Sequence, residues 1–581
     1  MERLKARIFR HWPLRLLVLL VLRPKRFREE FVHSATDYRR FRESLRGFRS
    51  YLDRAGVSAA EQNRPGLLVV AGRAMNAQWC QVWSILGAVC HRKGYQVFVL
   101  TSKSQPIQNL YFKLFRFQLI HLEDLRIESV PVPQDIERSF HSLVSFRDVK
   151  EFELDGIPLG KMALSTYSRQ RATGIMDIGD PAARREVLKW LSYLYQTLIV
   201  GEQLYVKHGI EMLYFTEVFM EEYGSLYYSA LKMRLNIVRF AGTVRDNAIV
   251  VQHLNHESDR THFSSLSKQS WSQIGRCADL SSVDRDLQQN FMDRYGDRWA
   301  LSKRNQPNTR IVPVNEARAM LGISEGRKVV VIYSHILYDT LFFNGEDLFP
   351  NYAEWLVSTV KAACLNPEVQ WFVKVHPSNL WRGELEYFHR GKYEELRLIE
   401  EHIGELPDHV RLAYPDTPLS PYTWLQIADC GVTVRGTSGI ELAALGKAVV
   451  TAGTGRYEAA GISVNPKSIE EYLALLANIQ NISSPSKEQV RLGKLFAYAT
   501  FCMKPFTLDF LKPVPRMGKS KISSTDDLVY LADFTTDRHD IPDSITKFIA
   551  WSRDRNAIDF LSCWPSVGMN PESHVLEERA G

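Results

Sequence analysis

A chain of 581 residues is too long for one hydrophobic core, so two domains with appendages are expected. Its 45% hydrophobic and 24% charged residues are those of an ordinary soluble globular protein. The net charge of +7 gathers at one end. Residues 1–50 hold 14 Lys and Arg against 5 Asp and Glu, which leaves the rest near neutral and excludes a nucleic-acid-binding surface along the whole body. The seven cysteines are scattered without a CxxC spacing, so neither a metal nor a disulfide framework is expected, and a reducing compartment is.

The chain opens on a basic arm, residues 1–60. Its apolar run, Leu16 to Leu22, falls far short of the roughly 20 residues needed to cross a bilayer. It is also a poor signal peptide, because no small-residue cleavage site follows and Arg23 to Arg28 comes directly after. Two readings remain: a segment lying on an anionic membrane surface, at the inner face of the plasma membrane for a cytoplasmic enzyme, or a basic helix docked on the body.

An N-terminal domain is expected over 61–300. Leu67 to Gly72 is a buried-strand pattern ending in glycine, a helix runs to about Arg92, and Gln96 to Leu100 is the next strand, which together make a βαβ unit. The series continues through Glu211–Phe215, a helix, and Leu235–Val238. The loop Arg73–Asn76 falls at the carboxyl end of the first strand, where ligand-contacting loops are placed. Asp155-Gly156-Ile157-Pro158 is turn chemistry. Beyond it, Arg169 and Arg171 either meet a phosphate or lie on a solvated helix face.

Residues 301–327 read as a linker, and a second βα series fills 328–470. Lys328 to Tyr333 is a strand ending at Ser334-His335, with Asp339 in the loop beyond. A helix over Tyr352–Ala363 and strands at Gln370–Val375, Val410–Leu412, Gly431–Val434 and Ala448–Ala452 complete it. Residues 471–581 read as a helical extension, less regular after Lys512. The expected fold class is α/β, with two doubly wound, Rossmann-like domains facing across a cleft.

Two stretches of the second domain share one grammar, an apolar strand running into a polar turn and then a helix. They are Val373-Lys374-Val375-His376-Pro377-Ser378-Asn379 and Val434-Arg435-Gly436-Thr437-Ser438-Gly439-Ile440-Glu441. At a strand's carboxyl end, a helix N-terminus offers free N–H groups to an anion. Gly436 and Gly439 let backbone approach a ligand, Thr437 and Ser438 add hydroxyls, and His376 adds a ring N–H. The pair reads as a phosphate-bearing nucleotide site; a capped turn and an ordinary helix start are the alternatives. Glu441, one turn on, either accepts from ribose hydroxyls or complements the helix dipole. For a catalytic base, Glu217 after the Phe215 strand is the first candidate and Asp155 the second. Asp284-Arg285-Asp286 is a D-x-D string in a helix-like stretch and is set aside as chance, so no metal is expected.

Over 328–470 these residues resemble bacterial capsule and surface-polysaccharide glycosyltransferases of the GT-B fold. The order His335, Asp339, a Trp355-containing helix, Lys-Val-His-Pro, Gly-Thr-Ser-Gly-Ile-Glu and then Tyr457 carries the resemblance. A His-Pro motif followed by a Ser/Thr motif is shared with sialyltransferases and Kdo transferases, where it holds the phosphate of a CMP-sugar, and is similar to teichoic-acid polymerases. The resemblance implies donor binding by His376, Pro377, Thr437 and Ser438, with Ser378, Gly436, Gly439 and Glu441 beside them. It also implies cleft positions for His335, Asp339 and Arg169; Arg73 joins them by its loop after the first strand, and His376 takes a part in catalysis by meeting the charge on the departing phosphate. No cofactor is expected beyond the nucleotide-sugar as co-substrate, and the acceptor is a glycan or a lipid-linked sugar. Glu221-Glu222-Tyr223-Gly224 approaches the acidic catalytic string of polysialyltransferases but is interrupted by tyrosine. The rival readings are a CDP-polyol phosphotransferase, a sugar-nucleotide epimerase and a non-catalytic partner in a synthesis complex.

Overall fold

The computed structural model describes residues 28–54, 64–73, 76–243, 245–277, 280–296, 298–299, 308–380, 393–518, 528–534 and 542–563. The chain forms two units. Unit 1 holds residues 1–263, 338–343 and 507–560, and unit 2 holds 264–337, 344–506 and 561–581.

In unit 1 the strands are β1 (Gly66–Gly72), β2 (Gln96–Thr101), β3 (Gln118–His121), β4 (Ile210–Phe215), β5 (Asn236–Gly242) and β6 (Ala248–Leu254). Unbroken apolar runs such as Leu67–Ala71 suit strands covered on both faces, and all of β1 is buried. Within a seven-stranded sheet these six follow the order β6-β5-β4-β1-β2-β3, parallel except for β6, which returns antiparallel to β5. The order reverses at β1/β4, so the loops after these two strands flank the switch point where α/β sheets hold ligands. The helix Ala77–Arg92 crosses from β1 to β2. Asn76 caps it by accepting from Trp79 N–H at 3.1 Å, and every residue from Cys80 to Cys90 is buried.

In unit 2 the strands are β7 (Val329–Tyr333), β8 (Gln370–Lys374), β9 (Val410–Ala413), β10 (Cys430–Thr433) and β11 (Ala448–Thr451). Their order is β11-β10-β7-β8-β9, and every pairing is parallel. The reversal falls between β7 and β10. The expected α/β class with two doubly wound, Rossmann-like units is therefore what the chain forms.

The unit boundaries differ from those expected. The expected arm lies partly outside the described residues, but the part over 34–54 is helical and belongs to unit 1: Phe41, Leu45 and Phe48, at helical spacing, are 0% exposed. The division falls at 263/264 rather than near 300. The described end of the expected linker is built into unit 2, where Val312 N–H donates to Thr423 Oγ1 at 2.9 Å and Ala317 is fully buried. The expected extension over 471–581 divides between the units. Thr507–Phe560 belongs to unit 1, with the hairpin Leu511–Pro515/Leu528–Ala532 and the helix Asp543–Arg553. The six residues Tyr338–Phe343, expected in the second domain, also belong to unit 1. Local pattern carries no information on such returns, because each segment is apolar enough for either core. No described helix is long and apolar enough to cross a membrane.

Candidate functional site

In unit 2 the turns after β7, β8 and β10 lie on neighbouring strands, so the fold gathers His335, His376 and the Gly436 turn. Gly436 is the N-cap of the helix Thr437–Ala444, and its N–H donates to Thr433 Oγ1 at 3.1 Å. A Cβ at Gly439 would overlap the Tyr457 hydroxyl, which donates to the Gly436 carbonyl at 3.0 Å, so the glycine is required by packing. His335 Nε2 accepts from Val434 N–H at 3.3 Å and lies 3.1 Å from Thr433 Oγ1, which leaves the ring proton on Nδ1. Burial, then Arg435, His376 and Arg456, push this imidazole well below its ordinary range, so at neutral pH it is uncharged.

His376 caps its own turn. Nδ1 accepts from Ser378 N–H at 3.2 Å, which fixes the proton of the neutral ring on Nε2. The turn-capping alternative is thus realised, and it also orients the ring as an Nε2–H donor. Beneath this turn lies Glu395, 2% exposed, which accepts from Asn379 Nδ2 at 2.8 Å and Ser334 Oγ at 3.4 Å. Burial pushes its carboxyl up to about 7. Lys374, last in β8 and 4% exposed, holds an Nζ with no partner among the described residues, and burial pushes it down to about 8.

Three arginines surround the Gly436 helix, Arg435 and Arg456 buried and Arg294 mostly so, and they are treated differently. Arg294 meets the Glu441 carboxylate, which also accepts from Tyr295 Oη at 2.6 Å. The oxygen expected to face a ribose thus has protein partners. Arg435 is paired with Asp347 and donates to Tyr352 Oη and the Thr454 carbonyl at 2.9 and 2.8 Å. The Arg456 guanidinium has no carboxylate partner among the described residues, although its backbone N–H donates to Glu458 Oε2 at 3.0 Å. Its guanidinium donates to Ser264 Oγ, the Arg435 carbonyl and Thr437 Oγ1 at 3.0, 3.0 and 2.9 Å, all neutral acceptors. Only 8% of it is exposed, and burial pushes its pKa down to about 10. The sequence reading missed Arg456; its signal was available, since Gly455-Arg456 follows the next strand of the sheet, β11.

In unit 1, Glu217 follows β4 at the switch point. Burial lifts its carboxyl above the ordinary range, against the pull of Arg239, while Asp339 adds to the lift. Asp339 lies 3.8 Å from Arg169, so three expected positions, Glu217, Asp339 and Arg169, share one neighbourhood. Phe343 stacks on Phe219 at 5.1 Å, and Lys150 lies over Phe342 at 5.0 Å, which anchors the segment carrying Asp339. Arg73 sits across the switch point, 3.3 Å from Glu222 and 3.0 Å from Tyr193 Oη. Asp155 stands apart: with Gly156 it forms the exposed tip of a two-residue turn, both residues at positive φ, bridged by Leu154 and Ile157. Arg171 is paired with Glu186, and Asp284 of the D-x-D string meets Lys494 on the exposed side of a helix. Among the described residues no three His, Cys, Asp or Glu side chains are gathered as a metal site requires.

No family model matches the chain, and no curated protein sequence does. Solved structures with a similar fold include the beta Kdo 2,4 transferase KpsC of Thermosulfurimonas dismutans, at 16% identity over 51% of this chain and 81% of that one, with a TM-score of 0.29. A UDP-GlcNAc 2-epimerase from Neisseria meningitidis, bound to UDP-GlcNAc, covers 75% of this chain and 99% of its own at 11% identity and a TM-score of 0.23. A glycosyltransferase from Rickettsia africae covers 75% and 93% at 7% identity, with a TM-score of 0.26.

Proposed function

We propose that the chain is a glycosyltransferase that moves a sugar from a nucleotide-activated donor, a CMP-sugar before others, to a bacterial capsular or surface polysaccharide or its lipid-linked acceptor. The observation that carries this reading is Arg456: a buried guanidinium without a carboxylate, bonded to the first residue of the Gly436 helix. Such a charge calls for an external anion, and a helix N-terminus beside it favours a phosphate. Thr437 and Ser438 add hydroxyl donors, and His376 an Nε2–H on the neighbouring turn. Together they would stabilise the charge that grows on the departing phosphate without a metal. Glu217 is the proposed base. Its raised affinity for a proton suits a group that must take one from a sugar hydroxyl, and Asp155, on an exposed turn, is the weaker candidate. An epimerase would use the same phosphate grip without an acceptor.

The test is thermal stability of the full chain with CMP, CDP, UMP, UDP and GDP, in wild type and His376→Ala. A ligand bound only by the folded state at 100-fold excess over its Kd adds about 2.7 kcal/mol. The expected outcome is stabilisation of wild type by one nucleotide, CMP on this reading, and a response cut at least about tenfold in affinity by His376→Ala. A flat response to all five in wild type would sink the reading and favour the non-catalytic partner.

A further inference from the structure

Among the described residues of unit 1, one buried charge without a hydrogen-bond partner lies outside every motif. Arg239 stands in the middle of β5, in register with Phe215 of β4 and Gln252 of β6, and is 5% exposed. Its Nε is sealed without a partner, and the guanidinium makes no hydrogen bond or ion pair with any described residue. What holds it is aromatic: Cζ lies 4.7 Å from the Phe219 ring and 5.4 Å from that of Phe263. Ring faces attract a cation but accept none of the five N–H donors that a guanidinium carries. Leaving such donors unpaired in a protein interior is costly, so the arrangement is built for an acceptor that arrives from outside.

The groups around it support that reading. Glu217 and Tyr227 are the titratable groups that act on Arg239, and Tyr227 is itself committed to Asp259, donating at 2.7 Å. Glu217 forms no ion pair with Arg239 among the described residues, and burial raises its carboxyl above the ordinary range against the pull of that arginine. The second arginine of this neighbourhood, Arg169, lies 3.8 Å from Asp339, with both side chains about a quarter exposed at 29% and 26%. The segment that brings Asp339 has Thr340 and Phe342 at positive φ, a backbone conformation that non-glycine residues keep where surrounding contacts impose it.

We propose that unit 1 contains an oxyanion site centred on Arg239, with Arg169 beside it, and that its ligand is an acidic sugar presenting a carboxylate or a phosphate. The planar fork of a guanidinium matches either group through two parallel hydrogen bonds. Flanking aromatic rings hold that plane in place. The proposal does not rest on the phosphate reading of unit 2.

The experiment measures Tm and calorimetric affinity of the full chain with glucuronate, glucose 1-phosphate, inorganic phosphate and, as the neutral control, glucose. The variants are Arg239→Gln, Arg239→Lys and Arg456→Gln. The expected result is that an acidic probe, and not glucose, binds wild type and Arg456→Gln alike. Arg239→Lys, a point charge without the fork, should weaken it at least about tenfold, and Arg239→Gln should abolish it. Binding of glucuronate alone assigns the carboxylate; binding of glucose 1-phosphate or inorganic phosphate alone assigns the phosphate. The proposal is overturned if no acidic probe binds wild type, if Arg239→Lys binds as wild type does, or if the response disappears in Arg456→Gln. The wild-type and Arg239→Lys measurements decide the matter even where Arg239→Gln does not fold.

Discussion

The two units hold their buried arginines in opposite ways. In unit 2 each buried guanidinium is wired by direct hydrogen bonds: Arg435 to Asp347 and Tyr352, Arg294 to Glu441, and Arg456 to three neutral oxygens. In unit 1 Arg239 rests between two rings and is bonded to nothing described. A buried charge with a carboxylate belongs to the scaffold, because removing either partner strands the other in a medium that cannot solvate it. One without a carboxylate is a standing electrostatic demand, and its natural relief is a ligand. On the proposed function, the contrast between Arg435 and Arg456, neighbours around one helix N-terminus, separates these two uses of the same side chain within a single unit.

The largest expected effect tests the scaffold side. Asp347→Asn removes the carboxylate from a pair in which both side chains are about 95% buried, at 4% and 5% exposure. It should lower stability by about 3–5 kcal/mol, read by urea denaturation. A loss below about 1 kcal/mol would mean that the backbone carbonyls and Tyr352 suffice for Arg435, and the division between scaffold and ligand arginines would lose its basis.

A smaller effect comes from Glu395, the acid sealed beneath the His376 turn. Its folded carboxyl holds its proton up to about pH 7, whereas an unfolded glutamate releases one near 4.3. Between these values the folded state binds the extra proton, so stability falls as pH rises, and the cost is complete above pH 7. The slope is at most about 1.4 kcal/mol per pH unit, an upper bound of roughly 4 kcal/mol over the window. Glu395→Gln should flatten that decline and leave the variant the more stable at pH 8, checked by urea denaturation from pH 5 to 8. Parallel curves for variant and wild type would show that Asn379 and Ser334 stabilise the ionised carboxylate and that burial does not dominate.

How much of this could be read in the sequence depends on the kind of physics involved. The parallel strands were legible because β1, β7 and β8 are apolar runs bounded by polar turns, and the Gly436 and His376 turns because glycine, proline and hydroxyl residues act locally. The antiparallel β6 was not, since Ala248–Leu254 has the same apolar character as a parallel strand and only its hydrogen bonds set its direction. Arg456 and Glu395 were missed because charged residues outside a motif look like surface, and only the tertiary fold buries them. Asp155 shows the converse. Asp-Gly is a turn signal with a backbone reason of its own, so its carboxylate needed no chemical explanation. Arg239 did leave a trace, a lone charge inside Ile-Val-Arg-Phe-Ala, where a strand covered on both faces would not put one.

The smallest change in stability carries the sharpest contrast. Arg456→Met keeps most of the side chain's volume and removes a charge that only neutral oxygens attend. Replacing a buried ion by an apolar residue is often neutral or stabilising, so the variant should stay within about 1 kcal/mol of wild type or exceed it. The freed oxygens soften any gain, since Thr437 Oγ1 and the Arg435 carbonyl each lose a donor. Yet the same variant should no longer be stabilised by the nucleotide that stabilises wild type. Stability kept and response lost is what a ligand-directed arginine predicts, and it is the reverse of what Asp347→Asn should show, where stability falls while the Gly436 helix keeps its phosphate donors. An Arg456→Met variant that loses several kcal/mol and still answers to nucleotide would move Arg456 to the scaffold class. The anion would then depend on the helix N-terminus and His376 alone.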